Sequence, residues 1–307
     1  MKKLLITLIL LQSMTVMAQQ DSLMNMLAGN TPEKTEYTRA TFKSTRLING
    51  QTIETVSKNH LNFWISHRFG AVNSGFIDNF FGLDEARIRL GLEYGITDRF
   101  TVGIGRSSQE KTYDYYGKYK LIRQSKFTPV TVTVYASGAI NTMPTGYVMP
   151  SGTTVKFYDN SERQTYCGQI LIARKFSDKL SLQIMPTILH FNKAETPETR
   201  NNQIALGFGG RYKLTKRFSL NAEYYLSNLQ SEPEGTTKGL YHNSLAIGFD
   251  IETGGHVFQL HFTNSRGMIE RHFIAQTLGE WGSGDIFYGF NIARTFSLDK
   301  RAKKMNK

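Results

Sequence analysis

From His60 to Phe296 the chain alternates apolar and polar side chains with a period of two, in one stretch after another. That period places successive side chains on opposite faces of a β-strand. The clearest stretch runs from Gln203 to Ser227. Ile204, Leu206, Phe208, Tyr212 and Leu214 share one side, and Gln203, Ala205, Gly207, Gly209, Arg211 and Lys213 share the other. After a short polar turn, Phe218, Leu220, Ala222, Tyr224 and Leu226 oppose Ser219, Asn221, Glu223, Tyr225 and Ser227. This is an antiparallel hairpin. Its arms are about ten residues long, where soluble strands are usually about five or six. Tyr212 and Phe218 put a ring beside the turn on each arm. Aromatic rings at the edges of an outward apolar band are how barrels meet membrane interfaces.

The same pattern recurs along the chain. Leu61, Phe63, Ile65 and Phe69 oppose Asn62, Trp64, Ser66 and Arg68; Ile88, Leu90 and Leu92 oppose Arg87, Arg89 and Glu93. Tyr241, Asn243, Leu245, Ile247 and Phe249 oppose Ser244, Ala246 and Asp250. The total is about twelve strands, an even number as single-chain bacterial barrels require. Connections tend to alternate in length. Residues 95–99, 176–179, 214–217 and 252–255 are tight turns, whereas 71–84, 139–163, 192–200, 228–238 and 265–284 are long. The expected fold is therefore all-β: a transmembrane antiparallel up-and-down β-barrel over residues 59–298, with short periplasmic turns and long extracellular loops.

The ends read differently. Lys2 and Lys3, the apolar run Leu4 to Leu11 and the small residues around Val16-Met17-Ala18 form a signal-peptide pattern over residues 1–18. Beyond it no apolar run reaches the ~20 residues of a helical span. Residues 19–58 are expected to form a periplasmic or lumen-filling prefix, with two short extended pieces around the turn dipeptide Asn49-Gly50. Residues 299–307 form a basic tail. The formal net charge is +12. In an exported chain that excess points to lipid or anionic solutes and away from nucleic acid. The single cysteine, Cys167, has no partner for an intrachain disulfide and falls on the inner face as a small side chain.

Four blocks carry a family resemblance: Phe42-Lys-Ser-Thr-Arg-Leu-Ile-Asn-Gly-Gln51, Ile65-Ser-His-Arg-Phe-Gly70, Tyr94-Gly-Ile-Thr-Asp-Arg-Phe-Thr-Val-Gly-Ile-Gly-Arg-Ser107 and Gly254-Gly-His-Val-Phe-Gln-Leu-His-Phe-Thr-Asn-Ser265. They resemble an uncharacterised outer-membrane β-barrel family of Bacteroidota-type bacteria. The resemblance implies fold and location. It carries over no catalytic residue, cofactor or substrate.

Function must then come from the inner face. Arg68, Arg87, Arg89, Lys118, Lys120 and Arg211 fall there with Glu93, Asp114, Glu223 and Asp250. One reading is a narrow porin with a mixed-charge, slightly basic lumen that admits small anions; the other is a salt-bridged interior that fills the barrel. The small residues Thr101, Gly103 and Gly105 lie between Arg87/Arg89 and Lys118/Lys120, so a basic stripe on one wall is expected, with Glu223 and Asp250 across from it. An outer-membrane hydrolase or a structural, surface-interaction barrel are the alternatives. His190 has no evident serine beside it, and Glu270, Arg271, His272, Glu280 and Trp281 are read as parts of a solvated loop. No enzyme, metal or cofactor is expected. His256 and His261 lie five apart and so face opposite sides of a strand.

Overall fold

A computed structural model of the chain describes residues 35–149, 152–196, 199–228 and 238–298. The expected leader and basic tail lie outside the described residues. Residues from Thr38 onward belong to one compact unit.

The strands are β1 (His60–Ala71), β2 (Ala86–Thr97), β3 (Phe100–Ser107), β4 (Tyr113–Ile122), β5 (Thr131–Ile140), β6 (Tyr147–Val148) and β7 (Thr154–Val155). After them come β8 (Gln164–Lys175), β9 (Leu180–Phe191), β10 (Asn202–Lys213), β11 (Phe218–Ser227), β12 (Ser244–Thr253), β13 (His256–Thr263) and β14 (Phe287–Ser297). β6 and β7 form a small hairpin within one long loop. The other twelve pair antiparallel in chain order, and β1 closes the barrel on β14. Closure leaves no unpaired edge, so every wall strand can sit in hydrocarbon with its backbone satisfied.

The alternation fixes the faces. Along β10 and β11, Leu206 faces Leu226, Phe208 faces Tyr224 and Tyr212 faces Leu220 on the outer surface. On the inner surface Arg211 pairs with Asn221 and Gly209 with Glu223. A one-residue slip would reverse every one of these faces. Tight turns join β8 to β9, β10 to β11 and β12 to β13 at one rim, and the loops at 72–85, 141–163 and 264–286 rise from the other. Tyr241 departs from the expected outward face. It lies in a loop before β12, buried, with its hydroxyl donating to Glu195 at 2.5 Å.

The interior is filled by two segments that are not wall. Residues 41–56 run inside the barrel and turn back at Asn49-Gly50. Leu47 N–H donates to the Gly50 carbonyl at 2.8 Å, and Thr52 N–H to the Thr45 carbonyl at 2.9 Å. The chain leaves the lumen past Gly95, where a β-carbon would stand 2.1 Å from the Ser57 carbonyl oxygen. The loop between β13 and β14 dips in from the long-loop rim, burying Met268, Ile269 and the short helix Glu270–Ala275. Phe42, Leu47 and Ile53 from the first segment and Phe273 and Ile274 from the second join one apolar cluster. Leu171, Met185, Leu189 and Tyr225 supply its wall side.

Candidate functional site in the filled lumen

The inner face is built for the segment it holds. Glu223 on β11 accepts three backbone N–H groups from the turn: Ile48 at 3.2 Å, Asn49 at 2.7 Å and Gly50 at 3.1 Å. Gly50 is required by close approach, because a β-carbon there would lie 2.2 Å from the Tyr225 hydroxyl. Lys118 is fully buried and donates to the Thr45 carbonyl, Gln51 Oε1 and the Thr52 carbonyl at 3.1, 3.2 and 3.2 Å. Its ammonium has three protons and meets three acceptors. Glu93 accepts from Thr45 Oγ1 at 2.7 Å and Asn62 Nδ2 at 2.9 Å, and from the Tyr116 hydroxyl. Arg68 donates to Asn49 Oδ1 at 2.7 Å and Asn291 Oδ1 at 3.0 Å. Lys120 pairs with Glu54 at 3.3 Å. Arg211 donates to Ser219 Oγ and, at 3.4 Å, to the Thr41 carbonyl. Asp250 accepts from Gln259 at 2.8 Å.

These contacts correct the expected basic stripe on an open wall. Small residues on β3 do let long side chains cross from both sides, but the crossings are paired. Arg89 reaches over Gly105 to Asp114, with Nε to Oδ1 at 2.9 Å, and a β-carbon on Gly105 would stand 2.3 Å from Arg89 Nη2. Tyr116 covers Gly103 in the same way, its ring 2.3 Å from an added β-carbon. Lys118 and Lys120 turn toward the lumenal segment. Arg87 stands apart near the long-loop rim, without a hydrogen bond or ion pair among the described residues.

Sequence reasoning passed over Leu171, Met185 and Leu189 as inner residues, and all three are fully buried. The signal was available. Large apolar side chains on the inward parity of β8 and β9 do not suit a water-filled lumen, and they called for an apolar filler such as Leu47 and Ile53.

The long loop expected to be solvated is buried at Glu270, Arg271 and His272, whereas Glu280 is exposed as expected. Glu110, in the turn between β3 and β4, accepts from Asn141 Nδ2 at 2.8 Å and Arg271 Nη2 at 3.0 Å. His272 Nε2 stands 3.6 Å away, an ion-pair distance and too long for a hydrogen bond. Burial disfavours the Glu110 carboxylate, but Arg271, and then His272, hold its pKa down to about 2. Burial also lowers the pKa of His272. Glu110 and Lys111 both adopt left-handed backbone, with φ of 52° and 47°. Such strain in non-glycine residues costs about 1–3 kcal/mol each and persists only where surrounding contacts hold it. His190 lies on the exposed outer surface against Asn202, at 2.8 Å. Among the described residues no three His, Cys, Asp or Glu side chains converge as a metal site would require.

Comparison with solved structures finds similar barrels at low identity. The KdgM porin has 9% identity and a TM-score of 0.46, over 77% of this chain and 99% of that one. An outer membrane channel from Pseudomonas putida F1 has 11% identity and a TM-score of 0.45, over 80% and 98%. Salmonella typhi OmpF, in complex with daunomycin, has 6% identity and a TM-score of 0.38, over 77% and 97%. No curated protein matches the chain. The sequence profile of a family described as a membrane bound beta barrel domain (DUF5777) matches residues 42–296, starting at Phe42 and so including the lumenal turn with the wall. The chain belongs to that family of membrane-bound β-barrels.

Proposed function

We propose that the chain is a narrow solute channel of the outer membrane, exported by the leader at 1–18, whose lumen is closed at rest by residues 41–56 and the loop between β13 and β14. The observation that carries this reading is how the filler is seated. The wall strands pair with one another all the way round, so withdrawing residues 41–56 breaks no bond of the barrel ladder. Much of the seat is polar: a carboxylate on backbone amides, and an ammonium on carbonyls. Water can replace such contacts at a net cost of about 0.5–3 kcal/mol each.

With the filler withdrawn, Arg68, Arg87, Arg89, Lys118, Lys120 and Arg211 would line a passage with Glu93, Asp114, Glu223 and Asp250. That set is mixed and slightly basic, a lining that favours small anions. A second reading has one specific observation behind it. The shared apolar cluster of Leu47, Ile53, Phe273, Leu171 and Met185 would suit a permanently closed, structural barrel.

Flux into proteoliposomes separates the two. The channel reading expects slow entry of small carboxylates, faster than neutral sugars of equal size. No entry of either, from protein whose barrel is folded, would favour the structural reading.

A further inference from the structure

At the long-loop rim a cavity of about 230 Å³ lies between the start of β2, the turn between β3 and β4, and the in-folded loop. Its polar lining is incompletely satisfied. The Arg87 guanidinium has no hydrogen bond or ion pair among the described residues. Arg266 Nε, Gln109 Oε1 and Gln276 Oε1 are buried and make no hydrogen bond. All four residues line this one cavity. Buried polar groups are nearly always partnered, so three orphaned atoms on residues that line one cavity, beside an unpaired guanidinium, point to a ligand site.

The charges select the ligand. Arg266 is neutralised by Glu85 at 2.5 Å, and Glu110 by Arg271 at 3.0 Å. Arg87 is left with one uncompensated positive charge, which suits a single negative charge. A guanidinium fork fits a carboxylate in two parallel hydrogen bonds. The two glutamine amides offer partners for hydroxyl groups. Tyr241 and Phe287 add aromatic walls. The volume lies just below the ~300 Å³ at which ligand pockets usually begin, which limits the occupant to about one sugar ring. The strained backbone at Glu110 and Lys111 adjoins the same cavity, as strain often does at binding sites.

We infer that this cavity is a binding site for a small polyhydroxylated monocarboxylate, with Arg87 taking the carboxylate and Gln109 and Gln276 the hydroxyls. Its role as the first station of a transport path rests on the channel reading above. The binding itself does not, and it is measured without transport.

The test is calorimetric titration of purified full-length protein in detergent with gluconate, glucuronate, glucose, acetate and glucose 6-phosphate. Gluconate or glucuronate should bind at least tenfold more tightly than glucose or acetate. Arg87→Gln should lose that preference, and Gln109→Ala should weaken gluconate binding by about tenfold. Heat-modifiable gel migration checks that each variant is folded. Equal binding of glucose, tighter binding of the dianionic sugar phosphate, no binding of any probe by folded protein, or full gluconate affinity in Arg87→Gln would each overturn the assignment. A positive titration with no flux in proteoliposomes would uphold the site and remove only the channel.

Discussion

Replacing Glu223 by alanine removes the acceptor that gathers the amides of Ile48, Asn49 and Gly50 at 3.2, 2.7 and 3.1 Å. A hydrogen bond to a charged group contributes about 1.5–3 kcal/mol net. Three donors sharing two oxygens are not independent, so the sum overstates the loss. Removing one side of a buried charged cluster typically costs about 3–5 kcal/mol. Taking the lower figure, with about 1.4 kcal/mol per factor of ten, the unseated population of the turn should rise roughly 100-fold. Hydrogen exchange read by mass spectrometry on the intact barrel measures this directly. In the native protein the peptide covering Leu47 to Gln51 should exchange as slowly as wall strands, because these residues are buried inside the barrel. In Glu223→Ala it should exchange up to about 100-fold faster, with β8 to β11 unchanged. Glu223→Gln keeps one acceptor oxygen and should fall between. Unchanged exchange of this peptide in Glu223→Ala would refute the claim that Glu223 seats the turn.

Further expectations follow from the same contacts. Gly50→Ala should drive a β-carbon into the Tyr225 hydroxyl and loosen the same peptide in exchange, with the wall intact. Arg271→Ala should strand the buried Glu110 carboxylate and lower stability by about 3–5 kcal/mol, read as a drop in the thermal transition. The folded pKa of Glu110 is depressed, so its contribution is complete above about pH 4.5 and is lost as pH falls toward about 2. Fluorescence of Trp281, whose indole N–H donates to the Leu245 carbonyl at 3.2 Å, should change in that window, and Glu110→Gln should abolish the change. Arginine at Leu206 or Phe208, on the lipid face, should cost about 2–4 kcal/mol in bilayer folding titrations. Equal stability of these variants and the parent would mean the faces are reversed.

The wall was legible because its physics is local. A period of two, rings beside the turns and alternating loop lengths specify strand, face and rim without reference to distant residues, as in the hairpin through Leu206 and Leu220. The turn at Asn49-Gly50 was legible for the same reason. What the wall encloses was not. Lys118 and Glu223 read as lumenal charges from their parity alone, but their partners are groups of residues 45–52, mostly backbone, about 70 and 170 positions away in sequence. No periodic pattern encodes such pairings. The loop holding Arg271 and His272 was misread as solvated because its short apolar run, Phe273-Ile274-Ala275, has neither the length nor the strand period to announce burial. The cavity at Arg87 depends on which groups remain unpaired, and that is defined only once the other side chains have found their partners.

The most direct test of the central claim, that residues 41–56 close a solute path, is single-channel recording in planar bilayers of the native protein beside Glu223→Ala. The native protein should rest at zero current with rare, brief openings. Glu223→Ala should open about 100-fold more often, with a preference for anions at least as strong, because the change also removes one lumenal carboxylate. If Glu223→Ala stays as silent as the native protein while hydrogen exchange shows its turn unseated, residues 41–56 are not what closes a solute path.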